Sequence, residues 1–232
     1  MQAVILAAGR GTRMKELTET LPKPMLTIAG KTLLEHQMDN LPPEVTEVIL
    51  IVGYLGSVIQ QYFGGSYNGK ELLYVEQEEL NGTAGALWQA KDLLHDKFLV
   101  MNGDDICAAE DIASCAASSD WAILVQEVED LGSAGKVVLD AHGNVADILE
   151  KEAREPGPGL ANNANFFLLD TRVFSYAPVY RPGSTTELGL PQTVVQAAKD
   201  IPIHPITAHL LIRITEPEDL KKAEELLAKK GA

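Results

Sequence analysis

Three runs of almost uninterrupted apolar residues constrain this chain more than any other feature: Val4-Ile5-Leu6-Ala7, Glu47-Val48-Ile49-Leu50-Ile51-Val52 and Phe98-Leu99-Val100-Met101. A strand that shows water one face alternates apolar and polar residues, whereas a strand without that alternation needs cover on both faces. Helical spacing fills the intervals, over Thr32 to Asn40, Gly56 to Tyr62 and Thr83 to Leu94, and a further short strand falls at Leu72 to Val75. Buried strands alternating with helices indicate an α/β protein with a doubly wound, mostly parallel sheet. From Trp121 onward the texture changes to short strand-like segments with less helix between them: Ala122 to Gln126, Lys136 to Leu139, Val145 to Leu149 and Phe166 to Leu169. That change favours a mixed sheet or a small β-rich lobe. Thr215 to Lys230 reads as a closing helix, with Thr215 capping it, Glu218 three residues on, Pro217 in the first turn, and Lys229-Lys230-Gly231 as its stop. Its apolar stripe is Leu220, Ala223, Leu226 and Leu227.

At 232 residues the chain is long enough for one large core, and a single domain with parts at 1–120, 121–214 and 215–232 is expected. A formal net charge of -14 with a pI near 4.7 argues against a nucleic-acid partner, which needs clustered cations over its phosphates. Two cysteines, Cys107 and Cys115, at a spacing compatible with a helix suggest neither a zinc site nor a disulfide. With no signal-like or membrane-length segment, the expectation is a cytoplasmic protein with no membrane partner.

Directly after the first strand the chain reads Ala8-Gly9-Arg10-Gly11-Thr12-Arg13-Met14, and Pro22-Lys23-Pro24-Met25 follows. Glycines there permit positive φ and let backbone N–H groups approach an anion closely. Gly-x-Gly alone is equally a surface turn. Against the acidic background, however, Arg10, Arg13, Lys15 and Lys23 mark a local anion site. Neither the dinucleotide fingerprint nor a P-loop is completed, since Arg13 and Met14 stand where the third small residue belongs and no Gly-Lys-Ser/Thr follows.

These two motifs, nearly complete over residues 5 to 26, resemble the LAAGxGTRM and PKPM signatures of the sugar-phosphate nucleotidyltransferases, enzymes with a Rossmann-like, GT-A-type fold. The resemblance implies that Leu6, Ala7, Ala8, Gly9, Gly11 and Thr12 form the nucleotide loop. It further implies that Arg13 contacts the β- and γ-phosphates and that Lys23 neutralises the α-phosphate under attack. Residues 1–120 then form the nucleotide-binding part and 121–214 the acceptor-binding part. Gln77, five positions before Gly82-Thr83, fits the family's reader of a pyrimidine edge, which favours UTP or dTTP. The bland reading of that segment is a glycine-led helix start.

Asp104, in Asn102-Gly103-Asp104-Asp105 just beyond a strand end, suits Mg²⁺, a cation that takes one or two carboxylates plus substrate phosphates. Asp105 is grouped with the acceptor or shapes the turn. Gly135, Glu150, Lys151 and Asn163 fall where relatives hold the sugar phosphate. Two departures stand out. The family's N-A-G becomes Asn163-Ala164-Asn165, placing a side chain where glycine is usual. Arg213 occupies the position of the second metal-binding aspartate in the family's W-x-D-[IV]-G-T-P-E-D-L segment. Arginine has no acceptor and cannot ligate a metal. The segment Leu211 to Leu220 instead resembles that of methylerythritol phosphate cytidylyltransferases, where a lysine faces the phosphates, so Arg213 is expected to act as a catalytic cation. A strand-edge ion pair is its alternative.

The chemistry implied is attack of a sugar 1-phosphate on the α-phosphorus of a nucleoside triphosphate, with release of pyrophosphate. A cytidylyltransferase for an alditol phosphate or phosphonate, and a nucleotide-binding protein without turnover, are the alternatives. The partners expected are a nucleoside triphosphate and a small phosphorylated sugar or polyol, on a monomer or homo-oligomer.

Overall fold

The computed structural model describes residues 1–132, 134–162 and 165–230. Its first half is built on four parallel strands, β1 (Gln2–Ala7), β2 (Glu47–Val52), β4 (Lys70–Glu76) and β5 (Lys97–Asn102), hydrogen-bonded in the order β4-β2-β1-β5. The short β3 (Ser66–Tyr67) lies antiparallel on the outer edge of β4. The helices between them are α1 (Leu33–Asp39), α2 (Gly56–Phe63) and α3 (Thr83–Gln89). The apolar runs sort by alternate residues. Val4, Ile49, Ile51, Phe98 and Val100 join one core, and Ala3, Ile5, Val48, Leu50, Leu99 and Met101 join the core on the opposite face. Double-sided burial is why these strands lack alternation in sequence, and each fully buried large aliphatic or aromatic side chain contributes about 1.5–3 kcal/mol.

The second half follows as β6 (Asp105–Cys107), α4 (Ala109–Ala116), β7 (Trp121–Val128), β8 (Gly135–Leu139), β9 (Val145–Leu149), β10 (Gly159–Asn162), β11 (Phe167–Asp170), α5 (Leu190–Val194), β12 (Ile203–Thr207), β13 (Leu211–Arg213) and α6 (Pro217–Lys230). Strand β11 inserts antiparallel between β5 and β7, and β12 pairs parallel with β7. Beyond Val125 the same β7 changes partners. Gln126, Glu127 and Val128 pair with β10, which carries β8 and then β9. The mostly parallel sheet and the β-rich lobe therefore share one strand.

Three local expectations are corrected. The third helix is α-helical only to Gln89; the rest of the expected span continues as a 3₁₀ turn over Lys91–Leu93, whose far end buried Gln2 holds: its Nε2 donates to the Leu93 carbonyl at 2.9 Å and its Oε1 accepts from His95 N at 3.0 Å. The start of α6 is held by Asp219, whose Oδ2 accepts from the Thr215 and Glu216 amides at 2.9 Å each, and not by a Thr215–Glu218 box. Cys107 lies on β6 rather than a helix; it and Cys115 on α4 are buried free thiols.

A third, smaller core lies apart from the sheet's two faces. It gathers Met14, Leu26, Ile28, Leu33, Ile106, Ile212, Ile214 and Ala223, with Leu220 and Leu227 of α6 packed against it.

Candidate active site

The strand order reverses direction around β1, with β2 on one side and β5 on the other, and α/β sheets bind ligands at the carboxyl ends of strands beside such a reversal. A cleft of about 650 Å³ opens there and extends across to the lobe. Leu6, Ala7, Ala8, Gly9, Gly11, Thr12 and Arg13 form one wall. Gly11 has φ 61°, and a side chain on it would meet Lys23 Cβ at 2.9 Å, so glycine there serves both the left-handed turn and the passage of Lys23 behind it. The loop is fixed from below: Thr18 Oγ1 donates to the Gly11 carbonyl at 3.1 Å, and the Ala8 carbonyl accepts from Tyr54 N at 3.1 Å. Arg10 stacks over the Tyr54 ring, 5.5 Å from its centroid. Arg13 is exposed in the cleft and has no acidic partner among the described residues.

Lys23 is 7% exposed, yet it lines the cleft. It donates to Asp104 Oδ2 at 2.5 Å and to the Ile214 carbonyl. Asp104 is carried just past β5, where Gly103 N donates to the Leu6 carbonyl at 2.9 Å and Gln37 Nε2 of α1 donates to the Asn102 carbonyl at 2.8 Å. Asp105 beside it is 2% exposed and accepts from Asn102 Nδ2 at 3.1 Å. Burial, then the neighbouring Asp104, push the Asp105 carboxyl well above the ordinary range, with Asn102, Arg213 and Lys23 opposing. Arg213 stands opposite Asp105 in the antiparallel β6–β13 pair and lines the cleft.

At the far end of the loop, Gln77 is 5% exposed and its Nε2 donates to Asn81 Oδ1 at 3.0 Å and to the Gly82 carbonyl at 3.1 Å. Two acceptors fix the amide's orientation and leave Oε1 as its acceptor. Gly82, at φ 99°, has the Leu188 amide nitrogen 2.6 Å from where a Cβ would stand, so the turn fits only glycine. Thr83 Oγ1 accepts from Leu190 N at 2.9 Å.

On the lobe side Gly135 and Glu150 line the cleft, and Glu150 Oε1 accepts from Gln192 Nε2 at 2.7 Å. Lys151 is exposed on a short 3₁₀ turn and is not part of the cleft wall. Asn163 lies outside the described residues. Asn165 takes φ 45° and lines the cleft, the left-handed conformation that asparagine tolerates. Asn162 is 7% exposed and its Oδ1 has no partner among the described residues, leaving a buried acceptor at the lobe side. Arg181, Glu187 and Gln192 also line the cleft, and no motif in the sequence marks them as site residues. Their only sequence signal is the turn chemistry of Arg181-Pro182-Gly183-Ser184, which marks a hairpin without saying what its rim faces.

The nucleotidyl transferase family model matches residues 2–200. The chain belongs to the nucleotidyl transferase family. Within it, a UTP–glucose-1-phosphate uridylyltransferase, AglF of Haloferax volcanii, is 31% identical over 98% of this chain and 96% of its own length. The bifunctional protein GlmU of Methanocaldococcus jannaschii is 38% identical over 75% of this chain, a match that spans 41% of GlmU. The chain thus spans less than half the length of the GlmU relatives it matches. Among solved structures, HddC from Yersinia pseudotuberculosis aligns with 97% of the chain at a TM-score of 0.73 and 27% identity. A putative glucose-1-phosphate thymidylyltransferase from Bacillus anthracis aligns with 97% at a TM-score of 0.81 and 23% identity, which shows the fold. The expected α/β architecture is the family's own.

Among the described residues, no group of three or more His, Cys, Asp or Glu side chains is gathered for a metal. Beside the glycine loop and Lys23, Asp104 offers the cleft a partly exposed carboxylate, 30% accessible. That donor set fits Mg²⁺ delivered with a triphosphate, which keeps water and phosphate oxygens as most of its ligands. None of the described helices is long and apolar enough to cross a membrane.

Proposed function

We propose that this protein transfers a nucleoside monophosphate from UTP or dTTP to a sugar 1-phosphate, releasing pyrophosphate. The observation that carries the reading is one cleft whose wall includes the glycine loop, Lys23, Asp104, Gln77 and Glu150. The base belongs at Gln77, whose fixed Oε1 accepts from an imide N–H. The triphosphate lies along residues 8 to 13, with Arg13 on the departing pyrophosphate. Lys23, held by Asp104 and the Ile214 carbonyl, offers its charge to the α-phosphate, where negative charge develops as the acceptor oxygen attacks. Arg213 supports the same phosphates from the position of the family's second aspartate. Asp104 would hold Mg²⁺, which when bound neutralises phosphate charge. The step needs no covalent enzyme intermediate, because positioning and charge neutralisation carry it. Glu150 offers a carboxylate acceptor to sugar hydroxyls.

The placement of Arg213 in the cleft, opposite Asp105, supports a second reading, a cytidylyltransferase for an alditol phosphate. Pyrophosphate release measured across the four nucleoside triphosphates, against sugar 1-phosphates and alditol phosphates with and without Mg²⁺, separates the two. Turnover with UTP or dTTP and a sugar 1-phosphate is expected. Turnover confined to CTP and an alditol phosphate selects the second reading, and triphosphate binding without turnover overturns both.

A further inference from the structure

We propose that Gln192 is a positioning residue that orients the Glu150 carboxylate toward the acceptor, and that position 189 is glycine in order to seat it. The inference rests on the acceptor role proposed for Glu150. Gln192 Nε2 donates to Glu150 Oε1 at 2.7 Å across 42 residues of sequence, joining α5 to the end of β9. With one lone pair of Oε1 engaged, Oε2 is the freer oxygen to accept from a sugar hydroxyl, and the carboxylate loses the rotamer freedom that a half-buried glutamate otherwise keeps.

The platform that carries Gln192 is fixed on several sides. Thr193 Oγ1, fully buried, donates to the Gly189 carbonyl at 2.8 Å and accepts from Val179 N at 3.1 Å. Leu190 N donates to Thr83 Oγ1, tying the start of α5 to the base-side turn. Gly189 itself has φ -90° and ψ 124°, ordinary extended backbone that any residue adopts. Its lack of a side chain answers a different demand. A methyl group there would overlap Gln192 Oε1 and stand 2.8 Å from its Cδ. The empty space at 189 is where the far end of Gln192 lies while its nitrogen faces Glu150.

The test is steady-state kinetics with UTP and glucose 1-phosphate or N-acetylglucosamine 1-phosphate on the whole chain, for Gln192→Leu, Gly189→Ala and the double variant, with thermal unfolding of each. The acceptor KM is expected to rise about tenfold in either single variant, the span of one lost hydrogen bond to a charged group, with the UTP KM unchanged. The double variant is expected to match Gln192→Leu, because Gly189→Ala acts only by displacing Gln192. An unchanged acceptor KM in Gln192→Leu, or additive effects in the double variant, overturns the proposal. An equal rise in both KM values marks a merely structural role and overturns it too. Absence of turnover and of acceptor binding in the unaltered protein overturns the acceptor reading itself, and this inference with it.

Discussion

Lys23 is the residue on which the site turns. A lysine this buried persists only with partners, and its two are a carboxylate and a carbonyl of residues on the cleft wall. Lys23→Ala is expected to lower turnover about a hundredfold, the cost of one strong contact to developing charge. Pyrophosphate release at saturating substrates measures it, and unchanged turnover would remove Lys23 from the mechanism. Gly11→Ala should destabilise the fold by more than about 1 kcal/mol, since it forces a side chain into left-handed backbone against Lys23. Chemical denaturation reads that loss, and turnover should fall with it. At this scale legibility follows contiguity. Gly9, Gly11, Arg13 and Lys23 fall within one short stretch whose glycines and cations have a single physical reason to occur together. Arg181, Glu187 and Gln192 come to the same cleft through a hairpin and a one-turn helix, and no local pattern encodes where those two elements dock.

Helices and strands were legible where burial is uniform along them and blurred where a side chain holds their ends. The three apolar runs lie within β1, β2 and β5 as observed, whereas α3 gives way to a 3₁₀ turn over Lys91–Leu93 whose end is held by Gln2, at the start of the sheet's first strand in sequence. The start of α6 shows the same sensitivity. Burial alone would raise the Asp219 carboxyl, but the Glu216 and Thr215 amides together with Lys222 outweigh it and hold it below the ordinary carboxylate range. A depressed value contributes stability above the unfolded-state value, near 4, and loses it as pH falls through the folded one. Asp219→Ala should therefore cost about 1 kcal/mol at pH 7, as loss of a helix cap does, with the difference shrinking in denaturation curves taken below pH 4. On α4, burial pushes the Cys115 thiol up to about 12. Neither cysteine should react with a thiol-specific chromogenic reagent at pH 8 until denaturant unfolds the chain, whereas labelling of the native protein at the rate of the free amino acid would contradict their burial.

Across the whole molecule, the small third core is what turns folding into a site. Its members alternate with side chains of the cleft wall: Met14 follows Arg13, Ile106 follows Asp105, and Ile212 and Ile214 flank Arg213. Met14→Ala is expected to cost about 2–5 kcal/mol and to lower turnover together with stability, a joint loss that denaturation and rate measurements on one sample would show. The sequence made the class of fold plain through its double-sided strands, yet this cluster was hidden, because its residues come from five separated segments that only tertiary packing unites. Strand β7 carries a different consequence, for how such a molecule changes its substrate. Its last three residues are the seam between the catalytic half and the lobe, pairing Val128 with Gly159, Glu127 with Leu160 and Gln126 with Ala161. On the function proposed above, a lobe grafted from another family member at those three pairs is expected to keep the triphosphate chemistry and to bring a new acceptor selectivity. A graft slipped by one residue turns every lobe side chain to the wrong face.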